Sequence, residues 1–141
     1  MMPKTVAFAL FVAVALAQPL QAACRCAQPP SVTTSLQQAQ AVFSGRVLQV
    51  IATPTYRKIT FQVEKSWKGI PGKWVVVYTG TDDCDVVFAP KVSYLVYAST
   101  ARALGLEAFR VEPKALRVGF CGRTAKTREA QEDLTALPRP H

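Results

Sequence analysis

The chain has 141 residues, 17 lysines and arginines against 9 acidic residues, a net charge of +8, and a single histidine at its last position, His141. One terminal histidine excludes Ser-His-Asp and Cys-His catalysis and histidine-based metal sites, and there is no glycine-rich phosphate loop. The length suits one domain. The basic surplus favours anionic partners, but Arg57-Lys58, Lys65, Lys68, Lys73 and Arg117 are scattered as a solvated exterior, without the dense basic block that would mark nucleic acid.

Met1 to Ala23 reads as an export signal. Lys4 is its only charge, Val6 to Ala17 is apolar but short for a bilayer span, Gln18-Pro19 breaks the helix, and small residues follow at Ala22 and Ala23. Cleavage fits after Ala17, Ala22 or Ala23; only the last exposes Cys24 as the new N-terminus. A lipoprotein cut also falls before Cys24, although Gln21 stands where an aliphatic residue is usual. No later segment is long and apolar enough to span a membrane, so residues 24–141 are expected as one exported domain, secreted or periplasmic, acting as a monomer.

All four cysteines, Cys24, Cys26, Cys84 and Cys121, lie in the exported part. An even count in an oxidising compartment points to two disulfides. A Cys24–Cys26 bond would close a strained ring, so each is expected to reach a distant partner, with two arrangements left open. A four-thiolate zinc site is the rival reading and lacks a C-x-x-C knuckle.

Ala27-Gln28-Pro29-Pro30 is stiff coil, and Ser31 is placed to cap a short helix reaching Ala39. Ala41 to Ile51 is expected as a strand, in which Gly45 marks a bulge or a close backbone approach. Tyr56 to Lys65 alternates Ile59, Phe61 and Val63 with polar residues, the pattern of a half-buried strand. Trp74 to Tyr78 is wholly apolar and is expected to be covered on both sides. Thr79 to Asp85 is a polar loop; its Asp82, Asp83 and Asp85 lack calcium-loop spacing and read as a solvated acidic turn. Tyr94 to Ala98 is a further strand, Ala108 to Val111 a short one, and Leu116 to Phe120 leads into Cys121. Thr124 is expected to cap a last helix from Lys126 to Leu137, with Ala130, Leu134 and Leu137 as its apolar stripe. Several short strands and a terminal helix predict a mainly β domain, a five-stranded OB-type barrel.

The chain resembles the inhibitory N-terminal domain of tissue inhibitors of metalloproteinases and, more broadly, the netrin-like module, in a single-domain, bacterial-type version. The resemblance runs from Cys24 to about Leu137. It rests on Cys24-Arg25-Cys26 at the mature start, Phe43-Ser44-Gly45-Arg46-Val47, Phe61-Gln62-Val63 and Trp67-Lys68-Gly69. Cys84, Tyr94-Leu95-Val96-Tyr97 and Cys121 ahead of the last helix complete it. It implies an OB-fold with short helices at both ends and the pairings Cys24–Cys84 and Cys26–Cys121. The animal inhibitors' third disulfide and their separate C-terminal domain have no counterpart.

With no catalytic histidine, phosphate loop or selected carboxylate pair, the residues argue against an enzyme and for no cofactor; functionally, the resemblance implies a binding protein. The α-amine and carbonyl of Cys24 would chelate the zinc of a partner metalloprotease, Arg25 would enter the adjacent pocket, and Cys26, Ala27, Thr81, Asp82 and Asp83 would flank the cleft. The family usually has a small residue where Arg25 stands. The alternatives are a non-inhibitory module, binding an anionic polymer, an envelope surface or a protein through its basic face, and a lipoprotein anchored at Cys24.

Overall fold

A computed structural model describes residues 24–69, 72–100 and 115–141. The expected export signal and the short strand at 108–111 lie outside the described residues.

The first helix, α1 (Val32–Gln38), begins where the hydroxyl of Ser31 accepts the amide of Thr34 at 3.1 Å, as its position before the helix predicts. At the other end, the ammonium of Lys68 donates to the carbonyls of Leu36 and Gln37 at 3.0 and 2.9 Å, meeting the negative end of the helix. The chain then enters β1 (Ala41–Ala52), which pairs antiparallel with β2 (Arg57–Lys68). β2 pairs with β3 (Trp74–Thr79), and the first half of β1 pairs with β4 (Ser93–Thr100). The two-residue β5 (Leu116–Arg117) lies parallel to β3 and antiparallel to β4, so the circuit β1-β2-β3-β5-β4-β1 closes. This is the five-stranded OB-fold barrel, with β6 (Ala125–Lys126) added outside β4. A 3-10 turn at Thr127–Glu129 leads into α2 (Gln131–Ala136).

The alternation of β2 sends Ile59 and Phe61 inward. Phe61 meets Phe43 and Phe88 edge-on with ring centroids 5.4 and 5.2 Å apart, and Phe88 meets Tyr94 at 4.7 Å. Each such pair adds about 0.5–1.5 kcal/mol beyond the area it buries. The hydroxyl of Tyr94 is satisfied at the rim by the amide of Ala89, 2.8 Å away. Outside the barrel, Val42, Trp67, Leu95, Ala130 and Leu137 form a second cluster under the two helices. Residues 41–45 of β1 are therefore buried on both faces. The indole of Trp67 donates to the carbonyl of Pro138 at 2.8 Å and fastens the C-terminal tail.

Gly45 is both a bulge and a close approach. The β1–β2 register shifts between Ser44 and Gly45, and a Cβ on Gly45 would stand 2.8 Å from the carbonyl oxygen of Gln62. That oxygen belongs to a neighbouring strand and cannot swing aside. Gly45→Ala is expected to destabilise the protein by about 1–3 kcal/mol, read from a shift of the urea midpoint; an unchanged midpoint would show that β1 and β2 separate without cost.

Four expectations are corrected. β3 is not covered on both sides: Val75 and Val77 face the barrel, while Trp74 is 66% exposed. An unbroken apolar run does not by itself say how many of its faces are buried. The last helix does not start at Lys126, because Lys126 is drawn into pairing with Tyr94. Nor does Thr124 cap it: its hydroxyl accepts the amide of Tyr97 at 2.9 Å. The helical stripe itself packs as expected, with Ala130 and Leu137 buried and Leu134 against them. Finally, Arg117 is not on the solvated exterior. It is 1% exposed, in the strand that closes the barrel, with Tyr78 and Ser99 as its neighbours in register.

Candidate functional site

Residues 24–30 form an exposed segment without regular secondary structure. Such a segment would ordinarily be loose, but two disulfides tether it. Cys24 is bonded to Cys84 and Cys26 to Cys121, each pair with Cα atoms 5.2 Å apart. These are the pairings that the resemblance implies. The C-x-C spacing sends its two sulfurs to two different parts of the barrel: the loop after β3 and the segment after β5. Cys24, Arg25, Cys26 and Ala27 thus form an exposed ridge stapled at two points.

The exit of the ridge is held as well. The carbonyl of Pro30 accepts from Arg123 Nη1 at 3.2 Å and from the Ser35 hydroxyl at 3.5 Å. Arg123 is itself fixed by a two-pronged bond to Asp133, at 2.8 Å from Nε and 2.6 Å from Nη2. The hydroxyl of Tyr97 donates to the same carboxylate at 2.7 Å. Burial alone would raise the pKa of Asp133, but the bonds from Arg123 and Tyr97 outweigh it and hold the carboxyl below its ordinary value. Burial, together with the adjacent carboxylate, pushes the Tyr97 phenol above its ordinary range.

The loop beside Cys24 is ordered by its own backbone. The carboxylate of Asp85 accepts the amide of Asp82 at 3.0 Å, and the amide of Asp85 donates to the carbonyl of Asp82 at 3.0 Å. Gly80 lies against that carboxylate, so a Cβ there would collide with it. Arg57 Nη1 reaches the Gly80 carbonyl at 3.4 Å. Asp85 is thereby used inside the turn, whereas Thr81, Asp82 and Asp83 remain exposed. Among the described residues, no three His, Cys, Asp or Glu side chains gather as metal ligands.

The sequence-predicted residues therefore fall on two segments joined by one covalent bond: Cys24 to Ala27 on the ridge, and Thr81, Asp82 and Asp83 just before Cys84. Two apolar residues escaped the sequence reading. Phe120 is 54% exposed and directly precedes Cys121, and Val87 is 66% exposed three residues after Cys84. Each follows or precedes a half-cystine that is tied to the ridge. The available signal was an aromatic set within Gly119-Phe120-Cys121-Gly122, a segment too rich in glycine to bury it. Beside Cys121 lies an open pocket of about 190 Å³, lined among others by Ser35, Gln38, Tyr97, Phe120 and Arg123.

Chemically, the ridge carries one exposed cation, Arg25, and the loop joined to it carries two exposed carboxylates, Asp82 and Asp83, on segments held by the two disulfides. No protein-family model and no curated protein matches this chain.

Proposed function

We propose that this protein is exported and inhibits a zinc metalloprotease by inserting the Cys24–Ala27 ridge into its active-site cleft. The observation that carries the reading is the double staple: an exposed segment, residues 24–30, held by disulfides from both of its cysteines. Disulfides persist in oxidising compartments, which fits a secreted or periplasmic protein, and no described helix is long and apolar enough to cross a membrane.

Once cleavage exposes Cys24, its α-amine and carbonyl oxygen are the two ligands offered to the partner's zinc. An α-amine titrates near 7.7–8.0, so a useful fraction carries its lone pair at neutral pH, and the metal draws the rest toward that form. Rigidity matters because a loose terminus would have to be ordered on binding, which weakens association. Arg25 enters the pocket beside the metal. Its guanidinium needs an acidic or strongly polar lining there, since an unpaired charge in an apolar pocket is costly. The expected target therefore has an acidic specificity pocket, and Asp82 and Asp83 stay at the rim.

The lipoprotein reading competes for the same atom. A lipid thioether and the Cys24–Cys84 bond cannot share one sulfur, and acylation would also block the amine. The bond to Cys84 therefore favours the inhibitor.

The test uses two forms of the protein: a chain starting at Cys24, and one carrying a single extra alanine before it. Both are assayed against a panel of zinc metalloproteases that differ in the charge of their specificity pockets. Inhibition is expected only from the first form, with both showing the same circular dichroism. Equal inhibition by the extended chain would eliminate chelation by the terminal amine.

A further inference from the structure

We propose that the outer face of β1–β3, centred on Trp74, binds an acidic polysaccharide. The strand register carries the argument. Arg46 pairs with Gln62, and Gln62 pairs with Trp74, so these three residues stand in one row across the sheet. Further along, Thr60 pairs with Val76, and Lys58 pairs with Tyr78. Ile59, Phe61, Val75 and Val77 alternate with these positions and face the core. Residues 58, 60, 62, 74, 76 and 78 therefore lie on the outside of the barrel.

This face carries an open indole, an amide, two hydroxyls and two cations, and none of its paired positions named above is acidic. One acid borders it: Glu64, on the same side of β2 as Gln62, is exposed and accepts the hydroxyl of Ser93, the β4 partner of Arg46, at 2.7 Å, so the Lys58 end of the face is its more basic part. Trp74 is 66% exposed and stands outside the core, which Phe43, Phe61, Phe88 and Tyr94 fill. An indole face stacks on the apolar side of a sugar ring, while amides and hydroxyls match sugar hydroxyls. Arg46 and Lys58 supply the charge complementary to uronate carboxylates.

A single nucleic-acid strand fits less well, because it is held on successive open rings. Tyr78 is half-buried and met edge-on by Tyr56 at 5.6 Å, which leaves Trp74 as the open platform. This binding face is independent of the ridge and stands whether or not the ridge inhibits a protease.

The experiment titrates the mature protein with galacturonic acid hexamer, neutral galactose hexamer and a thymidine hexanucleotide, following tryptophan emission. The chain has two tryptophans, and Trp67 is 7% exposed, so a change on binding reports Trp74. Saturable binding of the uronate hexamer is expected, at least about tenfold tighter than the neutral sugar. Trp74→Ala, followed by calorimetry, should weaken it roughly tenfold, the scale of one lost stacking contact. R46Q combined with K58Q should weaken binding and flatten its salt dependence. Absence of uronate binding, binding unaffected by Trp74→Ala, or a hexanucleotide that binds as tightly as the uronate would each overturn the proposal.

Discussion

Replacing Cys26 and Cys121 together by alanine is expected to remove about 4–5 kcal/mol of stability on the chain-entropy model. Their bond closes a loop spanning 95 residues of separation, so its loss frees most of the unfolded chain. The effect on the ridge should be sharper than the effect on the barrel. Among the described contacts, residues 24–30 would retain the Cys24–Cys84 bond at one end and the hydrogen bonds to Pro30 at the other. Guanidinium unfolding measures the first effect, and backbone nitrogen NMR relaxation of residues 25–28 measures the second. A loss below about 1 kcal/mol with unchanged relaxation would mean that packing, and not the crosslink, positions the ridge. Inhibition should weaken as the ridge loosens.

The second large effect is expected at Asp133. Its carboxylate holds Arg123 through two bonds and Tyr97 through a third. Removing one member of a buried pair strands the other, which costs about 3–5 kcal/mol. Here the Arg123 side chain is 16% exposed and can be partly rehydrated, so Asp133→Asn should sit at the low end, about 3 kcal/mol. The pH dependence has a defined sign. The folded pKa of Asp133 is depressed, so its contribution is complete above the ordinary carboxylate range and is lost as pH falls through the folded value. The folded pKa of Tyr97 is raised, so its contribution holds below the ordinary tyrosine value of about 10 and fades as pH rises beyond it. Urea midpoints of the native protein should therefore fall at both extremes, and Asp133→Asn should flatten the acidic side. An acid limb as steep in the variant as in the native protein would assign acid unfolding to other carboxylates.

These two predictions differ in how far the sequence foreshadowed them. The two disulfides follow from an even number of cysteines in a chain that reads as exported, and C-x-C by itself argues that both partners are distant. Asp133 gave no such signal. It sits in a short polar helix, and its partners Arg123 and Tyr97 come from different elements, 10 and 36 residues away. The ridge shows the same division. Cys24 to Ala27 were legible because a C-x-C directly after a stretch that reads as an export signal is conspicuous. Phe120 and Val87 were not, because exposure of an apolar side chain depends on what the rest of the fold leaves uncovered.

The sequence by itself determined what local rules govern. The alternation in Ile59, Phe61 and Val63 made a strand with one core face, Ser31 capped a helix, and Gly45 marked a place where two strands approach too closely for a side chain. The spacing of Ala130, Leu134 and Leu137 marked them for packing, and they pack, although Ala130 and Leu137 flank α2 instead of lying within it. Each depends on neighbours a few residues away. Only the tertiary structure decided the closure of β1 on β4, the burial of Arg117 in β5, the outward stand of Trp74 and the capture of Lys126 by β4 in place of the helix. Those outcomes depend on pairing between strands far apart in the chain. There, the hydrogen-bonding edge and the covered face belong to the partner and are not written in the segment itself.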